Sequence, residues 1–377
     1  MTSTLIWAVL AILGTSFLVC AFLVVTQRWH GRLSLDHDVS GTQKFHAVPV
    51  PRIGGMGLMV GLAIGVVVDH LLNGQTYRTA VLLVAAALPI FIAGLIEDTT
   101  KRVSPKSRLL ASVASGGLAI ALLDTHLLRV DVPLIDDLFA WTPLAIMFTC
   151  FAVSGMTNAV NIIDGFNGLA SGSVALMLAG LAALAWQSGD TLVMRLCLWG
   201  VAATLGFMLL NFPFGKIFLG DSGAYLAGFW LAQCAIMLLS RNPEVSTWAV
   251  LLCCVYPVWE TVFSIWRKSV YRKTGMSNPD KVHFHMLVYR RLVSRWVPRM
   301  APRWKRHALT SAFIWIMVSM CQVVAYILAT TLSNADLPNI IGIVCFAIVY
   351  GRVYRSLLIH QDKAGPLKMS SNETVNA

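Results

Sequence analysis

The chain has 377 residues, 57% of them hydrophobic and only 12% charged, about half the charged share of an ordinary soluble domain. That balance excludes a water-soluble globular protein and predicts a polytopic membrane protein. The formal net charge of +11 sits in loops between apolar runs, so it reads as a topology signal rather than as a nucleic-acid-binding patch, and no nucleic-acid partner is expected. Eleven apolar windows follow in order, near 4–26, 54–72, 80–96, 109–124, 140–157, 168–187, 192–210, 222–239, 246–266, 309–331 and 338–351. Each is long enough to span a bilayer or nearly so, and each must be helical because lipid offers no partner for open backbone. The expected fold is all-α, about 11 transmembrane helices in a single integral-membrane domain over 1–377, with a tail over 352–377. The first window lacks a basic flank and a clear small-residue cleavage site, so it is read as a retained membrane helix.

Basic residues set the orientation. The segments 27–53, 97–108, 158–167, 211–221, 267–308 and the tail hold 25 Lys and Arg, whereas the alternate loops hold four: Arg78, Arg129, Arg195 and Arg241. The rich side is expected in the cytoplasm, with the N-terminus outside and the C-terminus inside. The eight cysteines all fall in predicted spans and show neither metal spacing nor a disulfide framework.

The cytoplasmic segments carry the unusual polar residues. Lys44 to Gly55 is stiffened by Pro49 and Pro51 and sets Arg52 just before a double glycine. Lys44, His46 and Arg52 there suit phosphate, or form an ordinary basic flank. Glu97–Asp98 closes the third window. Adjacent carboxylates at a membrane boundary are costly unless paired or metal-bound, and they suit a base or a shared metal site. A helix end satisfied by the following Lys101, Arg102, Lys106 and Arg108 is the competing reading. In Asn158 to Gly168, Asn158, Asn161 and Asp164 recur at a spacing that stacks them on one helix face. Gly165 and Gly168 follow, where the backbone turns or a ligand comes close. In Phe214 to Gly223, Asp221 lies among glycines just before a span, as a hard-cation ligand, a helix N-cap, or both. Within 267–308, His283 and His285 have no Cys partner for zinc and are read as imidazoles reaching an anionic substrate. Beyond them Leu292, Trp296, Met300 and Trp304 recur among arginines, a basic interfacial segment on anionic membrane lipids that Pro298 and Pro302 keep from forming one helix.

All five clusters fall on the same side, so a single cytoplasm-facing site at the membrane surface is expected. Carboxylates for a divalent cation, amides, histidines and basic side chains together fit phosphoryl transfer, in which neutralising phosphate charge and positioning supply most of the catalysis. A transporter or flippase of an anionic lipid or nucleotide is the alternative. It would require polar groups at midplane or on both faces. A non-catalytic scaffold would not need five converging clusters.

Taken together, these motifs resemble the polyprenyl-phosphate N-acetylhexosamine-1-phosphate transferases (glycosyltransferase family 4), especially the bacterial undecaprenyl-phosphate GlcNAc-1-phosphate transferases. The run from Asn161 to Ala170 is similar to the central signature of that family. Gly220-Asp221-Ser222-Gly223 resembles its metal-binding loop, His283-Phe284-His285 its histidine motif, and His46 to Gly55 its Pro-Thr-Pro-Arg-x-Gly-Gly segment. Three departures stand out. Glu97–Asp98 replaces an aspartate pair, Val50 replaces Thr, and Met286 stands where many members place a further His. The shortened histidine motif favours a simple UDP-N-acetylhexosamine donor over a muramoyl-peptide donor.

The resemblance implies a Mg2+-dependent transfer of sugar-1-phosphate from a UDP-sugar to undecaprenyl phosphate in the bacterial cytoplasmic (inner) membrane. UMP is released, and a lipid-linked surface glycan such as O-antigen or exopolysaccharide is begun. Mn2+ is expected to substitute for Mg2+. Asp221, with Asn161 beside it, is expected at the metal; Asp98, with Glu97 as supporting charge, at the acceptor phosphate; and Asp164 as support. Substrate contacts are expected from His46, Arg52, Asn158, Asn167, Lys216, His283 and His285. A homodimer is expected.

Overall fold

A computed structural model describes residues 2–35, 49–272, 282–298, 300–332 and 335–363. His46 and the segment 273–281 lie outside the described residues. Among those described, the regular elements are helical: α1 (Thr2–Val25), α2 (Gln27–Ser34), α3 (Gly55–Leu71), α4 (Thr76–Thr100), α5 (Pro105–Leu123), α6 (Pro133–Phe139), α7 (Thr142–Ile163), α8 (Leu169–Gln187), α9 (Thr191–Asn211), α10 (Gly220–Arg241), α11 (Thr247–Cys253), α12 (Val255–Arg267), α13 (Phe284–Leu287), α14 (Ser294–Trp296), α15 (Arg303–Thr331) and α16 (Asp336–Lys363). Nine of these, α1, α4, α5, α7, α8, α9, α10, α15 and α16, are long and apolar enough to cross a membrane. Helix α3 is apolar but has 17 residues, and α11 and α12 form one segment bent by 80°. In order, these elements match the eleven apolar windows.

The bent segment departs from the plain span expected over 246–266. Pro257 has no N–H, and its ring excludes the carbonyl four residues back. That carbonyl belongs to Cys253, the last residue of α11. It is satisfied from outside the helix, because Gln322 on α15 donates to it at 2.8 Å. Beyond the bend, α12 buries Tyr256, Glu260, Ser264 and Arg267 and exposes Val262, Ile265 and Trp266. A helix that turns its charges inward and its apolar side chains outward is solvated by lipid. Pro89, inside α4, is accommodated without a break, and the N–H of the next residue, Ile90, donates to Ser115 Oγ at 3.1 Å.

Helix α10 is the axis of the bundle. Every residue from 220 to 239 is buried, and α3, α4, α7, α8 and α9 pack around it. Its sequence is apolar on all sides, as a helix surrounded by helices requires. Small residues let the neighbours close in. A Cβ on Gly94 of α4 would lie 2.6 Å from the Ser222 backbone, so no larger residue permits this approach of α4 to the start of α10.

At the end of the bundle remote from Asp221, three of the four arginines are paired with acids. Arg129 pairs with Asp131. Arg195 lies 3.7 Å from Asp69, and Arg241 2.6 Å from Asp190. The other end holds the candidate site.

Candidate active site

The site forms where four helix ends meet. The C-terminal turn of α4 supplies Glu97 and Asp98, the first turn of α5 Arg108, the end of α7 Asn161 and Asp164, and the first turn of α10 Asp221. Arg52 arrives from the chain before α3. The extended residues around Pro51 pair with the loop before α10: Phe218 N donates to Pro51 O at 2.8 Å, Gly54 N to Phe218 O at 3.0 Å and Gly55 N to Leu219 O at 3.0 Å. That pairing sets Arg52 beside Asp221. It also explains Gly220, whose φ is +73° and whose absent Cβ would lie 1.9 Å from Arg52 O and 2.6 Å from Asp98 Oδ2.

Asp221 is the carboxylate on which the others converge. Arg108 pairs with its Oδ2, Arg52 Nη2 lies 3.5 Å from its Oδ1, and Asn161 Nδ2 donates to Oδ1 at 3.2 Å. Its side chain keeps 12% of its surface accessible.

Asp98, expected at the acceptor phosphate, is engaged by the start of α10. Its carboxylate accepts from Asp221 N at 2.7 Å, Ser222 N at 2.9 Å and Ser222 Oγ at 2.7 Å. The side chain has no accessible surface. Asp98 therefore caps the first turn of α10, where a negative charge suits the helix dipole, and it serves the site by fixing Asp221. Arg52 Nη2, 3.7 Å from Asp98 Oδ1, bridges the two acids. Glu97 is half-buried. Its Oε2 accepts from Val103 N at 2.9 Å, which closes the turn between α4 and α5. Asp164 is also half-buried, just past the end of α7. Burial pushes its carboxyl up to about 7, opposed by Arg52 and reinforced by Asp221 and Asp98.

The histidine pair joins the same end. His285 is wholly buried beneath the signature loop, where a Cβ on Gly165 would sit 2.9 Å from its Nε2. Phe166 meets it edge-on at 5.7 Å between ring centres, so His285 supports the loop from below. His283 lies parallel to His285 at 5.5 Å and donates from Nδ1 to Glu260 at 2.9 Å.

The remaining candidates are more peripheral. Asn158 donates to the Ser154 carbonyl one turn back at 2.8 Å. Asn167 is 4% exposed and donates to Pro213 O at 2.9 Å, which ties the loop after α9 to the signature. Lys216 is exposed on that loop. Trp296 and Met300 are exposed, and the stretch between α14 and α15 is broken, as Pro298 and Pro302 predict.

Two contributors stand out that the sequence reading did not single out. Arg108 was one of four basic residues after Glu97–Asp98, and nothing local distinguishes it. Glu260 did carry a signal, as a lone acid inside an apolar window.

Known proteins resemble this chain over much of its length. Residues 79–239 match the family described as glycosyl transferase family 4. The Bacillus subtilis (strain 168) protein named probable undecaprenyl-phosphate N-acetylglucosaminyl 1-phosphate transferase is 31% identical over 254 residues, covering 66% of this chain and 68% of that protein. The undecaprenyl-phosphate alpha-N-acetylglucosaminyl 1-phosphate transferase of Yersinia pestis is 26% identical over 281 residues, covering 72% and 73% of the two chains. A phospho-N-acetylmuramoyl-pentapeptide-transferase of Lactobacillus delbrueckii subsp. bulgaricus is 27% identical over 288 residues, covering 72% and 87%. With the signature loop, the paired acids and Asp221 gathered at one end of a membrane bundle, this chain belongs to glycosyl transferase family 4, a family of sugar-phosphate transferases.

Proposed function

We propose that the protein transfers N-acetylhexosamine-1-phosphate, in the first place GlcNAc-1-phosphate, from a UDP-sugar to undecaprenyl phosphate. The product is a lipid-linked diphospho-sugar that begins a cell-surface glycan, and UMP is released. The site faces the cytoplasm from the bacterial inner membrane, a placement supported by the 25 basic residues on its side of the chain against four on the other.

One observation carries the reading. Among the described residues, four carboxylates, Glu97, Asp98, Asp164 and Asp221, share the site with two guanidiniums, Arg52 and Arg108. That excess of negative charge favours a divalent cation. Among the described residues no group of three or more His, Cys, Asp or Glu is placed to hold a metal. That suits Mg2+, which binds through one or two carboxylates and completes its shell with water and substrate phosphates. Asp221 would hold the ion, with Asn161 and Asp98 keeping its carboxylate in place. When bound, Mg2+ would neutralise charge on the donor pyrophosphate.

The step itself is a displacement at the sugar-bearing phosphorus of the donor. An oxygen of the acceptor phosphate forms the new P–O bond. The bond to the uridylyl phosphate breaks, and its electron pair leaves on UMP. The acceptor is already anionic near neutral pH, so no base need remove a proton. What this chain supplies is positioning and positive charge. Arg52 and Arg108 stand next to Asp221, where phosphate oxygens gather. His283 offers Nε2 to the donor, and Lys216 and the basic loops draw both anions to this end. The test is UMP release from a panel of UDP-sugars by purified protein with undecaprenyl phosphate and Mg2+. UDP-GlcNAc should be consumed. No release from any UDP-N-acetylhexosamine would overturn the reading.

A further inference from the structure

Glu260 is a carboxylate with no accessible surface that the transfer step does not use. Three donors surround it. His283 Nδ1 lies 2.9 Å from Oε1, Phe284 N 3.2 Å from the same oxygen, and Tyr350 Oη 2.6 Å from Oε2. They come from two places far apart in sequence: the histidine segment and the last helix, α16. A carboxylate can only accept, so Nδ1 of His283 carries the ring proton. Nε2 is then the nitrogen left for a ligand: in the neutral ring it accepts from a hydroxyl or amide N–H of the sugar, and it donates to a phosphate oxygen only when both ring nitrogens carry protons. The ring is further set by its parallel stack on His285.

A purely mechanical anchor for this segment exists without Glu260. Arg267 donates to Val282 O at 2.9 Å and to Tyr354 Oη at 2.6 Å, and Tyr354 Oη donates to Val282 O at 3.1 Å. What Glu260 adds is a bond to the imidazole itself, fixing tautomer and ring angle, as outer partners do for working histidines. The 80° bend between α11 and α12 makes it possible, since it carries Glu260 away from the line of α11.

We propose that Glu260 is a positioning residue for His283, with Tyr350 of α16 holding Glu260 in turn, so that the chain beyond residue 239 completes the contact with the UDP-sugar donor. The inference rests on the functional reading above and adds the device that orients its histidine.

A double-mutant cycle in the UMP-release assay tests it. Glu260→Gln should lower kcat/KM for the UDP-sugar roughly tenfold, in the range seen for outer partners of working histidines. The apparent KM for undecaprenyl phosphate should stay unchanged. In a His283→Ala background the same substitution should change kcat/KM by less than about twofold, because its effect passes through the missing ring. Tyr350→Phe removes one oxygen and should show a smaller fall with the same dependence on His283. It keeps the test open if Glu260→Gln fails to fold, as judged by thermal melting in detergent. Equal losses with and without His283, or full activity in both single variants, overturn the inference while leaving the transferase reading intact. A wild-type protein that releases no UMP overturns that reading, and the inference with it.

Discussion

Asp98→Asn should damage the protein in a way that Glu97→Gln does not, and the hydrogen bonds say by how much. Asp98 accepts three donors at 2.7–2.9 Å with no access to water. An amide has one acceptor oxygen. Its least costly orientation keeps the two Ser222 bonds and turns NH2 toward the Asp221 N–H. One charge-assisted bond is lost, two donors face each other in a buried site, and the remaining two bonds become neutral. With net values of about 1.5–3 kcal/mol for a bond to a charged group and about 1–3 kcal/mol for an orphaned buried group, the total is roughly 3–5 kcal/mol. The lesion lies at the first turn of α10, so Asp221 moves with it, and a displacement of about 1 Å at a reacting site costs on the order of 100-fold in rate. Glu97→Gln keeps an oxygen for Val103 N and should cost less than about 1 kcal/mol. The assays are thermal melting in detergent and steady-state UMP release at matched protein. The expectation is a clearly lowered melting temperature and a kcat reduced by about 100-fold or more for Asp98→Asn, against wild-type melting for Glu97→Gln. Asp98→Asn with wild-type melting and no turnover would refute the reasoning, because it would place Asp98 on the substrate rather than behind Asp221.

Asp221→Asn should fold and insert normally but lose most activity, since an amide lacks the charge a hard cation needs; Mn2+ binding followed by its electron-spin signal should weaken in parallel, and unchanged binding would remove Asp221 from the metal. The raised carboxyl of Asp164 makes the folded state hold a proton more tightly than the unfolded state, so stability should fall as pH rises from about 4 to about 7; Asp164→Asn should flatten that part of the melting profile in metal-free buffer, and an unaltered slope would count against the shift. In a cysteine-free background, Asp137→Cys, exposed on the short helix α6, should react with an impermeant maleimide in intact cells. Lys216→Cys should react only after permeabilisation, and the reverse pattern would invert the topology.

The amino-acid sequence by itself determined the class of fold and most of the cast of the site. The bilayer makes this legible, because each apolar window must satisfy its own backbone hydrogen bonds and so must be a helix whatever its neighbours do. Polar residues in such a chain are costly, which makes the motifs at Asn161, Asp221 and His283 stand out without any tertiary information. The roles inside the site were decided elsewhere. Glu97 and Asp98 are adjacent and chemically alike, and only the approach of α10, more than a hundred residues later, turns one into a buried cap. Arg108 reads as one basic residue among four until it is found on Asp221. Glu260 pairs with His283 because a proline bends its helix toward a segment further along the chain. Contacts between elements depend on how helices pack, and packing is a property of the whole bundle that no local stretch encodes.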